Sequence, residues 1–168
     1  MIIRYLCALV LLTSLLLPLT AYGNEKNIDK KKILAEATTA NGESIFLHGK
    51  HSHGAHIPFD GGPYWLRNKG GGCAACHGVQ GLGGIQPDFC FVVTPPISFK
   101  YLVEDGYPFA SRQDGSHPAY TMRTLQEALY EGLRPNGYEM DYCMPRWKMS
   151  DNDFRDLLSY LIRLDIKE

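Results

Sequence analysis

The sequence predicts an all-α fold, a helical domain threaded by long Gly/Pro-rich loops. Three observations predict it. Two segments in the C-terminal half carry helical periodicity with matching end signals. The stretches between them hold most of the 17 glycines and 10 prolines, which mark loops. The hydrophobic content is modest for the length of loop it must support. Such a domain gains from something large and apolar at its centre. At 168 residues, 45% hydrophobic and 21% charged, the chain is sized for one cored domain.

The first 23 residues stand apart. Arg4 precedes an apolar run from Tyr5 to Leu17, then Pro18 and the small-residue site Ala21-Tyr22-Gly23. This reads as a secretory signal peptide, 1–23, cut after Gly23 or nearby. The run is short for a membrane span, which needs about 20 residues; if left uncleaved it would act as an anchor. Cys7 lies inside the run and does not read as a lipidation site. Cleavage removes one of the 17 cations and none of the 18 acids, leaving 16 against 18, a net charge of −2. No clustered basic face points to nucleic acid.

Residues 24–40 form a polar, Lys-rich lead-in, mobile or a short exposed helix, and residues 41–168 form the domain. A short helical run through Ile45 and Phe46 stops at His48-Gly49. Residues 51–72 read as loop. After the next motif, residues 78–100 are Gly/Pro-rich with a short β-prone patch, Phe89 to Val93, and 104–120 form a polar loop. From Thr121 to Gly132 the residues Leu125, Ala128 and Leu129 share one helix face, and Gly132 closes it. The last helix opens at Ser150, with Asp153 standing where a capping box places Glu. Phe154, Leu157, Leu158, Leu161 and Ile162 then follow i, i+3, i+4, i+7, i+8, one buried stripe.

The chemistry sits at residues 73–77, Cys-Ala-Ala-Cys-His. C-x-x-C-H is the attachment sequence of c-type heme. Two thiols two residues apart lie together on one helical turn and can add to the two vinyl groups of a single heme. The next residue, His77, can then offer its imidazole to the iron. Gly70, Gly71 and Gly72 let the backbone pass close to the porphyrin edge. A zinc site would need a second ligand pair at similar spacing, which Cys90 and Cys143 do not form. A thioredoxin-like site would need a βαβ setting, absent from this glycine-rich stretch. A second iron ligand is offered by Met140, Met144 or Met149. Met144 is favoured, because Pro145 stiffens its loop and a stiff loop presents a thioether with little entropy loss.

Cys73–His77 followed by Gly78, GLGG at 81–84, Pro87-Asp88, and Met144-Pro145-x-Trp147 before an amphipathic helix together resemble a monoheme class I cytochrome c. The resemblance spans roughly residues 41–164. The stretch GGPYWLRNKGGGCAACHG also resembles a subgroup of exported bacterial monoheme cytochromes. It implies a helical domain wrapped around one covalently attached heme c, with His77 and Met144 as iron ligands. It implies that the Pro87 carbonyl accepts the imidazole N–H of His77, and that Trp147 packs near the heme, bonding a propionate or simply filling core. It implies that the first helix crosses the last, with Phe46 meeting Leu158 or Leu161. Cys90 and Cys143 then fall on two loops that both reach the heme. A bridge between them, two buried thiols, or Cys143 competing with Met144 all remain open.

Other residues carry less. His48, His51, His53 and His56 fit no single helical face and read as a solvated loop rather than a metal site. His117 reads as exposed. Arg146 offsets a propionate or sits on the surface, and Arg67 and Lys69 flank the attachment site and are expected to face a redox partner. The expected function is a periplasmic one-electron carrier that needs no catalytic side chain and no small-molecule substrate. Its partners are expected to be periplasmic or membrane-bound redox proteins. The alternative is a heme enzyme or a gas or redox sensor with a displaceable distal ligand.

Overall fold

The computed structural model describes residues 28–105 and 117–166. The segment read as a signal peptide, the start of the lead-in and the middle of the 104–120 loop lie outside the described residues.

Two helices open the described chain. Helix α1, Lys30–Glu36, is capped by the Asp29 carboxylate, which accepts from the Lys32 amide at 3.1 Å. It is not a solvated lead-in: Ile28 and Ile33 are buried in the core, and α1 packs on the last helix. Lys30 pairs with Glu104 and holds its ammonium 4.8 Å from the Phe99 ring centroid. Helix α2, Thr39–His48, ends at Gly49 with φ 65°, the left-handed closure expected of glycine.

The last helix, α6, Asp151–Ile166, starts from the predicted capping box. The Asp153 carboxylate accepts from the Ser150 amide at 3.0 Å and its hydroxyl at 2.7 Å, and Ser150 Oγ accepts from the Asp153 amide at 3.2 Å. Its stripe, Phe154, Leu157, Leu158, Leu161 and Ile162, is buried throughout. Helix α2 crosses it at very short range. A Cβ on Gly42 would lie 1.9 Å from the Asp156 carbonyl oxygen, so only glycine permits this crossing. Phe46, Leu158 and Leu161 share the core cluster, and the ring partner of Phe46 is Tyr160, with centroids 5.3 Å apart.

Between these helices the chain builds short elements. Strand β1, Phe59–Asp60, pairs antiparallel with β2, Arg146–Trp147, matching Phe59 to Trp147 and Asp60 to Arg146. Helix α3 is Tyr64–Lys69 and α4 is Ala74–His77. A single π-helical turn, Lys100–Asp105, precedes α5, Met122–Tyr130. Helix α5 is capped reciprocally by Thr121 and Thr124, and it buries Leu125 and Ala128 as the periodicity predicts. The β-prone patch at 89–93 is not a strand. Among the described residues it has no partner strand, and Phe89 and Phe91 stand 80% and 82% exposed. Among the described residues, no helix is long and apolar enough to cross a membrane.

Candidate cofactor site

Helix α4 is a single turn with Cys73 at its N-cap. The His77 amide donates to the Cys73 carbonyl at 2.9 Å and the Gly78 amide to Ala74 at 2.9 Å. One turn therefore sets the two thiols side by side and brings His77 in beneath them. Gly72 makes this possible by packing against the end of α2. A Cβ there would lie 2.2 Å from the Ile45 carbonyl oxygen, so this glycine serves a backbone crossing within the protein.

Cys73, Cys76 and His77 all line one open cavity, whose volume available to water centres is about 170 Å³. By that measure it has room for roughly ten waters. Its wall is largely apolar, with Leu66, Ile97, Leu125, Leu157 and Leu161 among the residues facing it. Both cysteines are free thiols. Burial pushes the Cys73 thiol up to about 12 and also raises that of Cys76, so both stay protonated at neutral pH.

His77 is fixed by its ring. Nδ1 lies 2.8 Å from the Pro95 carbonyl oxygen. A carbonyl only accepts, so Nδ1 carries the proton and Nε2 keeps its lone pair. Burial lowers the His77 pKa and the Pro95 bond partly opposes this, leaving a neutral imidazole with one basic nitrogen.

The carbonyl expected to hold the ring was that of Pro87, and here the structure corrects the sequence. Pro87 lines the cavity, but its carbonyl accepts from the Cys90 amide at 3.0 Å. The reason is an excursion between residues 85 and 94. The Thr94 amide donates to the Ile85 carbonyl at 2.8 Å and the Gly84 amide to Thr94 at 2.9 Å, closing the loop at its base. Pro87 sits inside the excursion, whereas Pro95 is the first residue to leave it. Thr94, which sequence reading passed over, ties this base to the attachment turn through its hydroxyl, 2.9 Å from the Cys76 carbonyl.

On the 140–147 segment, Met140 and Met144 both reach the cavity, while Met149 is buried in the core. Met140, half-buried, both packs against the core and lines the cavity. Trp147 lines the cavity at 4% exposure, its ring 5.0 Å from that of Phe59. Cys90 and Cys143 form a disulfide with Cα atoms 6.0 Å apart, which leaves Cys143 no thiolate to offer a metal. Arg146 is half-buried. Its guanidinium donates to the backbone carbonyls of Met140, Asp141 and Met144.

The histidines separate. His51 Nδ1 lies 3.0 Å from the buried Asp153 carboxylate, and its ring stacks on His53 at 4.9 Å. His48, His51, His53 and His56 do not converge on a metal, and no group of three or more His, Cys, Asp or Glu is placed to hold one among the described residues. His117, expected at the surface, is on the cavity wall with its ring 5.1 Å from Tyr120. Arg67 donates to the Gly61 carbonyl at 3.2 Å, and Lys69 is exposed.

The donor set matches what a covalently held heme needs. Two adjacent thiols and a neutral imidazole with an unprotonated Nε2 line one largely apolar hollow, which the thioethers of Met140 and Met144 also line. A family model described as cytochrome c matches residues 69–165. No curated protein and no solved structure matches the chain.

Proposed function

The chain belongs to the cytochrome c family, a heme-binding electron carrier with covalently bound heme c, and from that premise we propose that it is an exported one-electron carrier with a single heme held by Cys73, Cys76, His77 and Met144. The observation that carries this reading is that both thiols, His77 and Met144 line one cavity.

When bound, the heme supplies an iron that gains and loses one electron. The chain's own residues hold and tune it. Cys73 and Cys76 would anchor the group, each thiol adding across one vinyl group to form a thioether. His77 offers Nε2, and the hydrogen bond from Nδ1 to Pro95 fixes the ring and raises its basicity. Met144 offers a thioether, a soft ligand that favours reduced iron and raises the potential. Met140 also lines the cavity, and the choice between them rests on the Met144-Pro145-x-Trp147 motif. With the heme in place, the apolar side chains of Leu125, Leu157 and Leu161 would keep water away from it and so reduce the solvent rearrangement that accompanies electron transfer. Trp147 closes the wall beside Met144.

Export to a periplasm is supported by the first 23 residues and by the Cys90–Cys143 bridge, since disulfides persist in oxidising compartments. Redox proteins of that space or of its membrane are then the partners. The apolar wall favours a carrier over an enzyme or sensor, which needs a polar distal pocket.

A potentiometric titration followed by the visible spectrum tests the reading. A single one-electron wave, with a reduced form that ignores carbon monoxide, is expected. Rapid carbon monoxide binding by the reduced wild type would move the protein to the sensor or enzyme class.

A further inference from the structure

Residues 134–145 contain neither helix nor paired strand beyond one isolated bridge at Leu133 and Glu139, yet they must present a methionine at a fixed place. Backbone carbonyls in such a segment need partners, and a loop with none wanders. Some pair with backbone amides, the Tyr138 carbonyl with Arg134, Asp141 with Met144 and Tyr142 with Gly62; the Met140 and Met144 carbonyls, and Asp141 again, are met by one side chain. Arg146 Nη1 donates to the Asp141 carbonyl at 3.2 Å and to the Met144 carbonyl, and Nη2 donates to the Met140 carbonyl at 3.2 Å. One planar fork thus gathers three carbonyls of the same loop.

The root of that fork is itself held. Arg146 lies in β2, registered against Asp60, and the next strand-end amide, Lys148, donates to Pro58 at 2.8 Å. The guanidinium lies flat on the Gly132 backbone, where a Cβ would come within 2.1 Å of Cζ and Nε. Gly132 in turn accepts from the Met140 amide at 2.7 Å. The glycine that closes α5 is therefore also the wall that keeps the arginine in place.

The opposite side of the loop is held covalently. Cys143, the residue before Met144, is bridged to Cys90. The excursion carrying Cys90 is anchored rather than free. Trp65 Nε1 donates to the Asp88 carbonyl at 3.0 Å, and Tyr142 Oη donates to the Phe89 carbonyl at 2.7 Å. Phe89 adopts φ 65°, a left-handed conformation costly for an aromatic residue. Such strain persists only where its surroundings over-determine it. It falls on the residue that delivers Cys90 to its partner.

We propose that Arg146 and the Cys90–Cys143 disulfide are positioning residues for the distal ligand, a two-sided clamp that presents Met144 to the iron before any ligand bond forms. The proposal rests on Met144 being that ligand. A thioether is a weak ligand, so its occupancy depends on how little freedom it loses on binding. Pro145 fixes one neighbour of Met144, the disulfide fixes the other, and Arg146 holds its carbonyl.

The test uses the holoprotein and two spectral readouts: the far-red sulfur-to-iron band of the oxidised form, and carbon monoxide affinity of the reduced form. The variants are Cys90→Ala/Cys143→Ala together, Arg146→Lys, and Met144→Ala as reference. Each clamp variant is expected to weaken the band and to raise carbon monoxide affinity by about 10–100-fold, the scale on which outer partners alter metal ligation. Arg146→Lys keeps the charge but loses the fork, so it is not expected to rescue. All spectra are taken well below each variant's unfolding transition, so lost stability alone leaves the band intact. Should Arg146→Lys not fold, the cysteine pair carries the test. If Met144→Ala loses the band while the folded clamp variants keep it and stay inert to carbon monoxide, the clamp is overturned and the ligand assignment stands. A band that survives Met144→Ala overturns both.

Discussion

The Nδ1 atom of His77 lies 2.8 Å from the carbonyl oxygen of Pro95, the residue that follows the excursion from Ile85 to Thr94. That contact couples the orientation of the proximal imidazole to the base of a loop, and Thr94 is the pin of that base. Its hydroxyl lies 2.9 Å from the Cys76 carbonyl and 3.0 Å from the Ile85 carbonyl.

Thr94→Val keeps the shape and removes the hydroxyl, leaving the half-buried Cys76 carbonyl without its partner while the Ile85 carbonyl keeps the Thr94 amide. We expect a loss of about 1–3 kcal/mol in unfolding free energy. Denaturant unfolding of the holoprotein measures it. An unchanged midpoint would mean that the loop base is held elsewhere.

Gly42→Ala separates propensity from packing. Intrinsic helix preference alone favours alanine by about 1 kcal/mol in a helix interior. The 1.9 Å approach to the Asp156 carbonyl oxygen argues the reverse, since α2 must move off α6 to admit a methyl group. We expect net destabilisation of about 1–3 kcal/mol, the usual cost of overpacking. A raised melting temperature would contradict the close crossing.

Asp153 links stability to pH. Burial alone would raise its pKa, but bonds from the Ser150 hydroxyl and amide and from Asn41, together with the nearby His51, outweigh it and hold the carboxyl below its ordinary 3.8. A carboxyl depressed in the folded state contributes stability that is fully present above the unfolded value. That contribution is lost as pH falls through the lower folded value. Asp153→Asn is therefore expected to lower stability at neutral pH and to flatten the decline on the acid side. Unfolding free energies measured across the acid range check this, and an equally steep acid limb in the variant would assign the decline to other groups.

Removing the disulfide as Cys90→Ala/Cys143→Ala opens a loop of 53 residues. Chain entropy puts the cost at about 4 kcal/mol. Thermal unfolding of the variant beside the wild type measures it, and a loss below about 1 kcal/mol would mean that the unfolded chain stays compact.

Much of this architecture was legible in the sequence wherever the signal is local. Gly132 announces the end of α5 and Ser150 the start of α6, because each end signal and the stripe beside it lie within a few residues of each other. Cys73, Cys76 and His77 are legible because their chemistry fits on one turn. What stayed hidden depends on partners far along the chain. Ile28 and Ile33 sit among lysines, and only the distant face of α6 makes them core. Pro87 and Pro95 are both prolines after the attachment turn, and only the closed base at Ile85 and Thr94 tells them apart. Arg146 bonds to backbone carbonyls, which every residue carries, so no sequence pattern marks its partners. His51 reads as one histidine among four until α6 brings Asp153 to it.

Proton NMR of the reduced holoprotein tests the proposed ligation most directly. A methionine bound at the iron sits over the porphyrin, whose ring current moves its methyl resonance far upfield of all others. The account predicts one such three-proton signal, unchanged in Met140→Ala and in Met149→Ala and lost in Met144→Ala. A spectrum without that signal, or one in which it survives Met144→Ala, would contradict the assignment of His77 and Met144 as the iron's two protein ligands.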